Sequence, residues 1–174
     1  MESENKNSIY KNAANYGLIL GLAIVIYTLL LHFLGAGQNK VAGWGTFVFT
    51  AVAIYVGTKS YRDKMLEGYI SYGRALGSGM LIVVFASLIQ AVFNYSFFAY
   101  ISPESMQEMF VAMEEAMLET GTPEDQIEMS VEMMKKFTTP LSIAISGIFT
   151  SAFVGLIISL VTAAFVKNEK NIFE

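Results

Sequence analysis

The sequence predicts an all-α fold: a four-helix transmembrane bundle with an extracytoplasmic amphipathic helical hairpin between spans 3 and 4. Hydrophobic residues make up 54% of the 174 positions and charged residues only 15%, against about 25% charged in an ordinary soluble domain. Residues 141–166 include no ionisable side chain, and a helix of that length crosses a hydrocarbon core of about 30 Å. Three more apolar stretches precede it, so we treat residues 1–174 as a single integral membrane domain. The predicted spans are residues 16–34, 41–58, 76–100 and 141–166, and the hairpin is 103–137.

The first two spans are joined by a short turn and should be antiparallel neighbours. Residues 16–34 are longer than the apolar region of a signal peptide and carry aromatic residues at both ends, so we expect a retained span. Within it Gly17 and Gly21 form a GxxxG pair, which alone is a weak sign of helix packing because small residues abound in spanning helices. Trp44 and Tyr55 lie near the two ends of the second span, where they fit interfacial anchors.

A basic connector rich in tyrosine, residues 59–75, follows the second span. Its plainer interpretation is charge that sets topology, with tyrosines at the membrane interface. The alternative is a segment that contacts anionic headgroups or a cytoplasmic partner, although Asp63 and Glu67 dilute its charge. The candidate cytoplasmic contact residues are Tyr61, Arg62, Tyr69, Tyr72 and Arg74.

The connector also carries a family resemblance. The run Tyr61-Arg62-Asp63-Lys64, followed at 68–75 by Gly-Tyr-Ile-Ser-Tyr-Gly-Arg-Ala, resembles the bacterial membrane family called domain of unknown function 4199. The resemblance covers nearly the whole chain and implies four spans with a helical excursion between the last two. That family has no established activity, so the resemblance implies a fold and a location but no mechanism.

Few polar side chains lie inside the spans. Gln90 and Asn94 are four residues apart and share a face of the third span. We interpret them as interhelical packing residues, and the alternative is a polar path through a small oligomeric transporter or channel. His32 is the only histidine; it fits an interfacial position in reach of headgroups, with a proton relay or pH sensor as the alternative.

The predicted hairpin holds seven of the ten methionines. On its second helix the apolar face is Ile127, Val131 and Met134, widened by Met133 and Phe137, and glutamates occupy the opposite face of its first helix. Because methionine is adaptable on contact surfaces, we expect a partner surface here. Thioethers also select Cu(I), which leaves a copper site as the alternative. The candidate partner surface on the first helix is Met106, Met109, Phe110, Met113 and Met117.

The fourth span has a small residue at every fourth position. Such a stripe lets a neighbouring helix approach closely. We therefore predict a helix-packing seam, with Gly155 at the point of closest approach. The candidate seam residues are Gly147, Ser151, Gly155 and Ser159.

Orientation follows from the positively charged residues. Eight of the eleven lysines and arginines fall on the side of the termini and connector, and three fall on the hairpin side. The positive-inside rule then places both termini in the cytoplasm of a bacterium, with the protein in its inner membrane.

Nothing in the sequence forms a recognisable catalytic constellation. The chain has no cysteine and one histidine, so we expect no catalytic, cofactor-binding or metal residues, no cofactor and no enzymatic activity. The net charge of −4 argues against nucleic acid as a partner. We expect membrane lipids and a protein partner or a second copy instead. The predicted role is that of a non-enzymatic subunit, scaffold or accessory factor, and the alternative is the transporter or channel with a path at Gln90 and Asn94.

Overall fold

The computed structural model describes residues 2–36 and 40–169. In these ranges the chain forms six α-helices and no strand, which confirms the all-α prediction. A short π-helix, Phe97–Ile101, directly follows α3. The helices are α1 Glu2–Phe33, α2 Lys40–Met65, α3 Tyr72–Ser96, α4 Glu104–Glu119, α5 Glu124–Phe137 and α6 Pro140–Val166.

Four of the helices are long and apolar enough to cross a membrane, as predicted. Two extend further than their apolar stretches: α1 begins at Glu2 and α2 continues to Met65. The added segments, 2–13 and 59–65, contain no glycine or proline, so nothing in them stops a helix. The span-length stretches are Ser8–Phe33, Val41–Met65, Tyr72–Ile101 and Pro140–Val166.

The end of α4 shows how the sequence closes a helix. Gly121 adopts a left-handed conformation with φ of +76°, which costs glycine little. Its N–H donates to the Leu118 carbonyl at 2.9 Å, and the N–H of Thr122 donates to the Met117 carbonyl at 3.2 Å. These two bonds form a Schellman motif. It satisfies carbonyls that the helix leaves unpaired and reverses the chain into α5.

The chain divides into two compact units. The first consists of the described residues of Met1–Gln90 and Ile148–Glu174, and the second is Ala91–Gly147. In the first unit one buried cluster joins α1 and α3 through Ala13, Leu20, Ile24, Ile82 and Ala86. The second unit contains α4 and α5.

The first unit exposes large apolar side chains on its outer surface. Val48 is 62% exposed, Phe153 67% and Phe165 78%. A soluble protein rarely shows so extended an apolar surface, whereas a spanning helix turns such side chains to lipid. The exposed surface and the span lengths together fit a membrane protein.

Candidate functional site

The closest contact between α1 and α3 occurs at two glycines. A Cβ at Gly17 would lie 2.5 Å from the Cβ of Phe85 and 2.8 Å from the carbonyl oxygen of Ile82. A Cβ at Gly21 would lie 2.9 Å from the Cβ of Ile89. Real Cβ atoms do not approach so closely, so only glycine fits at these two positions. The GxxxG pair was the sign of this close approach in the sequence, and it is stronger than the abundance of small residues in spanning helices suggests.

The small residues of α6 do not all have the same surroundings. Gly155 is buried, and a Cβ there would lie 2.6 Å from Cγ1 of Val83 on α3. Ser159 is 1% exposed, and a Cβ at Gly79 on α3 would lie 2.5 Å from its Oγ. Two predicted seam residues, Gly155 and Ser159, therefore lie against α3.

The other two predicted seam residues lie elsewhere. Ser151 is half-buried beside a cavity. Gly147 belongs to the second unit, where a Cβ would have the Asn94 amide nitrogen at 3.5 Å, an ordinary van der Waals distance.

The first unit contains a cavity of about 140 Å³ that all four long helices line. Its wall is mainly apolar, with Leu20 and Ile24 from α1, Phe47 from α2 and Val154 from α6. Because each helix supplies part of the wall, no single stretch of sequence indicates the cavity. Among its lining residues the sequence pointed only to Gln90, as a packing residue or part of a polar path, and to Ser151, as part of the packing seam. The polar lining residues are Thr46, Thr50, Gln90, Thr150 and Ser151.

The polar groups of the cavity are neutral. Thr50 donates its hydroxyl hydrogen to the Thr46 carbonyl at 2.8 Å. The Gln90 amide nitrogen donates to the Ala86 carbonyl at 3.4 Å, near the long limit of hydrogen bonding. An amide and hydroxyls bind and orient a neutral molecule but do not exchange protons near neutral pH. Asn94, which was paired with Gln90 in the prediction, does not line this cavity.

The connector folds back onto the end of α6. Tyr61 is 2% exposed and packs in a buried cluster with Ile70 and Val166. Backbone bonds join Ile70 and Asn168 in both directions, at 2.8 and 3.0 Å. The Asn168 amide also donates to the Gly68 carbonyl at 2.8 Å. We call this set of contacts between residues 61–72 and the end of α6 the clasp.

Arg62 and Tyr72 complete the clasp through side chains. An Arg62 guanidinium N–H donates to the Val166 carbonyl at 3.0 Å, one of the carbonyls that the end of α6 leaves unpaired. Its Nε lies 2.7 Å from Asp63. The Tyr72 hydroxyl donates to the Leu160 carbonyl at 3.2 Å. The run that carries the family resemblance therefore has internal contacts of its own.

The other two predicted contact residues of the connector are accessible. Tyr69 is 43% exposed, and Arg74 is exposed as well. Of the five predicted cytoplasmic contact residues, Tyr61, Arg62 and Tyr72 have partners within the chain that the sequence did not reveal.

The hairpin buries only part of its apolar surface. Phe110 on α4 and Ile127 and Val131 on α5 are at most 6% exposed, and the Lys135 ammonium lies 5.9 Å from the centre of the Phe110 ring. Along α5, large apolar side chains remain open to the surroundings at every fourth position. We call Met129, Met133 and Phe137, which are 66%, 57% and 75% exposed, the α5 stripe.

The predicted partner surface on α4 is mostly inside the hairpin. Met106, Met109 and Met117 are half-buried and Phe110 is buried. Only Met113, at 42% exposure, is open. The larger accessible apolar surface of the hairpin belongs to α5 instead.

Imidazole and carboxylate ligands do not cluster in the part of the chain that the structure describes. No group of three or more His, Asp or Glu side chains there could hold an ion. His32 packs with its ring 5.7 Å from that of Phe33.

Comparison with known proteins identifies the family. The family model described as "Protein of unknown function (DUF4199)" matches residues 15–168. That range includes α2, α3 and α6 in full, the C-terminal part of α1, the clasp and the hairpin. No curated protein and no solved structure matches the chain. With four span-length helices and a match over most of its length, the chain is a membrane protein that belongs to the DUF4199 family.

Proposed function

We propose that this protein is a non-enzymatic subunit, scaffold or accessory factor of the bacterial inner membrane, with both termini in the cytoplasm. It acts through packing between helices and through contact with a protein partner or a second copy. The observation that carries the proposal is the α5 stripe, because it leaves three large apolar side chains open on the hairpin.

The chemistry of α5 supports a protein contact. Glu128, Glu132 and Lys136 each directly precede a residue of the α5 stripe, so a charged row runs beside the apolar one. Lys136 and Glu132 form an exposed ion pair at 3.2 Å. An apolar strip with a charged border is typical of a surface that binds another protein. A helix that lies on anionic lipid would carry mostly lysine and arginine on its polar face.

The test removes the apolar side chains of the α5 stripe. The triple variant Met129→Ser, Met133→Ser, Phe137→Ser should lower the mass of the assembly purified in mild detergent, measured by light scattering. Val111→Ser with Leu118→Ser is the matched control, because these α4 side chains are 45% and 50% exposed. A wild-type protein that is an isolated monomer, or a triple variant with an unchanged assembly, contradicts the proposal.

A second candidate function has one observation in its favour. The cavity has Gln90 in its wall, as a polar path for a transporter or channel would. Gln90→Leu and Asn94→Leu in liposomes separate the two candidates. Loss of a solute flux with an unchanged melting temperature supports transport, whereas a lowered melting temperature without any flux supports a packing role.

A further inference from the structure

We propose that the cavity lined by α1, α2, α3 and α6 binds one small neutral molecule, about one six-membered ring in size, with an apolar body and a single hydrogen-bond acceptor. Such a ligand site, in a half-open cavity of the first unit, goes beyond the contact role. It depends on the size of the cavity, the neutrality of its wall and the position of the Gln90 amide.

The size of the cavity sets the size of the ligand. Its volume is about 140 Å³, and protein interiors contain few voids larger than a water molecule. An engineered apolar cavity of about 150 Å³ in another protein accepts benzene. A molecule of one ring therefore fills this space, and a phospholipid does not fit inside it.

The lining sets the charge of the ligand. The wall combines aliphatic and aromatic side chains with threonine, serine and glutamine, and none of its residues is ionisable. An ion placed there would lose its hydration without gaining a partner of opposite charge. The ligand is therefore neutral, and most of its surface is apolar.

The Gln90 amide supplies the hydrogen-bond donor. The amide nitrogen carries two N–H groups, and the structure uses one of them in a long bond of 3.4 Å to the Ala86 carbonyl. Since only the nitrogen can donate to a carbonyl, this bond fixes the orientation of the amide. Because Gln90 is part of the cavity wall, we assign its second N–H to the acceptor on the ligand. A purely hydrocarbon occupant, including the end of a lipid chain, would leave that donor unused.

The experiment compares two probes of equal size on the purified full-length chain in one detergent. Cyclohexanone carries a carbonyl acceptor, and methylenecyclohexane replaces that oxygen with carbon. Binding is measured by ligand-observed NMR, with empty micelles of the same detergent as the reference for partitioning. Relative to the partitioning of each probe into the empty micelles, cyclohexanone should bind about fivefold to tenfold more tightly than methylenecyclohexane, which corresponds to one hydrogen bond.

Variants of the wall locate the site. Gln90→Leu should remove the preference for cyclohexanone while methylenecyclohexane still binds. Val154→Phe should abolish binding of both probes by filling the cavity; if its melting temperature shows that it does not fold, Ser151→Ile replaces it. Leu88→Phe is the control, because Leu88 is 50% exposed on α3, the helix that carries Gln90, and its replacement should leave both affinities unchanged.

Three outcomes overturn the inference. Equal binding of the two probes to the wild type would mean that the amide is not used. Unchanged binding in the filled variant would place the probes elsewhere. A phospholipid seen by native mass spectrometry in the wild type and lost in the filled variant would make a lipid chain the occupant. The serine variants of the α5 stripe should bind both probes normally, so failure here is distinct from failure of the contact role.

Discussion

Gly17 and Gly21 bring the backbone of α1 directly against α3. The atoms nearest to an added Cβ at Gly17 include the carbonyl oxygen of Ile82. Backbone moves less readily than the end of a flexible side chain, so an added methyl group must push the two helices apart. At the scale of single residues, this contact tolerates little added volume.

We therefore expect Gly17→Ala to lower the free energy of unfolding by about 1–3 kcal/mol. Gly43 in α2 is the matched control, since an added Cβ there has no other atom within 4 Å. Gly43→Ala should be neutral or raise stability by about 0.4–1 kcal/mol, because alanine restricts the unfolded chain. Unfolding in mixed micelles, followed by circular dichroism, measures both. Equal effects of the two substitutions would contradict the close contact.

Three buried hydroxyl groups are a second feature at the scale of single residues. The oxygens of Thr58, Ser78 and Ser159 are buried and have no hydrogen-bond partner among the described residues. An unpaired buried hydroxyl costs about 1–3 kcal/mol. Its removal should therefore cost little.

Ser159→Ala tests this directly. We expect an unchanged or higher free energy of unfolding, whereas Ser159→Leu should lower it, since the side chain at 159 meets Gly79 of α3. Thermal unfolding in a single detergent compares the variants. A marked loss of stability in the alanine variant would mean that the hydroxyl has a partner.

At the scale of secondary-structure elements, the clasp connects the segment after α2 to the end of α6. Its contacts join residues about 100 positions apart, as between Asn168 and Gly68 or between Arg62 and Val166. Arg62 makes two contacts that contribute differently to stability. The ion pair to Asp63 is partly exposed, and exposed pairs contribute about 0–1 kcal/mol. The bond to the Val166 carbonyl, which is part-buried, satisfies a helix end.

Arg62→Ala should therefore loosen the end of α6, and Asp63→Asn should not. Hydrogen exchange measures the difference: amides near residue 168 should exchange faster in the alanine variant, while those in the middle of α3 keep their wild-type rates. If Asp63→Asn has the same effect as Arg62→Ala, the ion pair and not the Val166 bond holds the clasp.

The hairpin depends on its few buried side chains. Phe110 is 6% exposed and its neighbour Val111 is 45% exposed, so the two test burial at nearly the same place. Phe110→Ala removes about 3–5 kcal/mol of burial and packing, enough to open two helices that are marginal in isolation. Limited proteolysis should then cut between α4 and α5, with the long helices intact. Val111→Ala should leave the hairpin resistant; cleavage of both variants alike would contradict this account.

At the scale of the whole molecule, the proposed topology predicts which residues are accessible from each side. The chain has no cysteine, so one introduced thiol is a unique label. A membrane-impermeant maleimide should label Glu128→Cys in intact cells and label Glu169→Cys only after permeabilisation, because the excess of lysine and arginine places the termini inside. Labelling of Glu169→Cys in intact cells would reverse the orientation.

The spans could be predicted from sequence because length and apolar composition are local properties. The ends of the hairpin helices could also be predicted from local sequence, since Pro103, Gly121 and Pro123 act on their immediate neighbours. The cavity and the clasp could not be predicted from local sequence. They depend on which faces of distant helices meet, and a single sequence does not record that pairing. Which of the α4 methionines are covered depends in the same way on how α5 packs against them.

The second unit interrupts the first in the order of synthesis. Most of it, residues 97–147, is made after α3 is complete and before the part of α6 that carries Gly155 and Ser159 exists. At about 5–20 residues per second, translation takes several seconds to pass that interval. During this time Val83 and Gly79 are not yet covered by α6, and Arg62 has not yet bonded to the Val166 carbonyl. The newborn chain is thus a three-helix intermediate, and its α3 surface stays uncovered until α6 packs on it and the clasp closes.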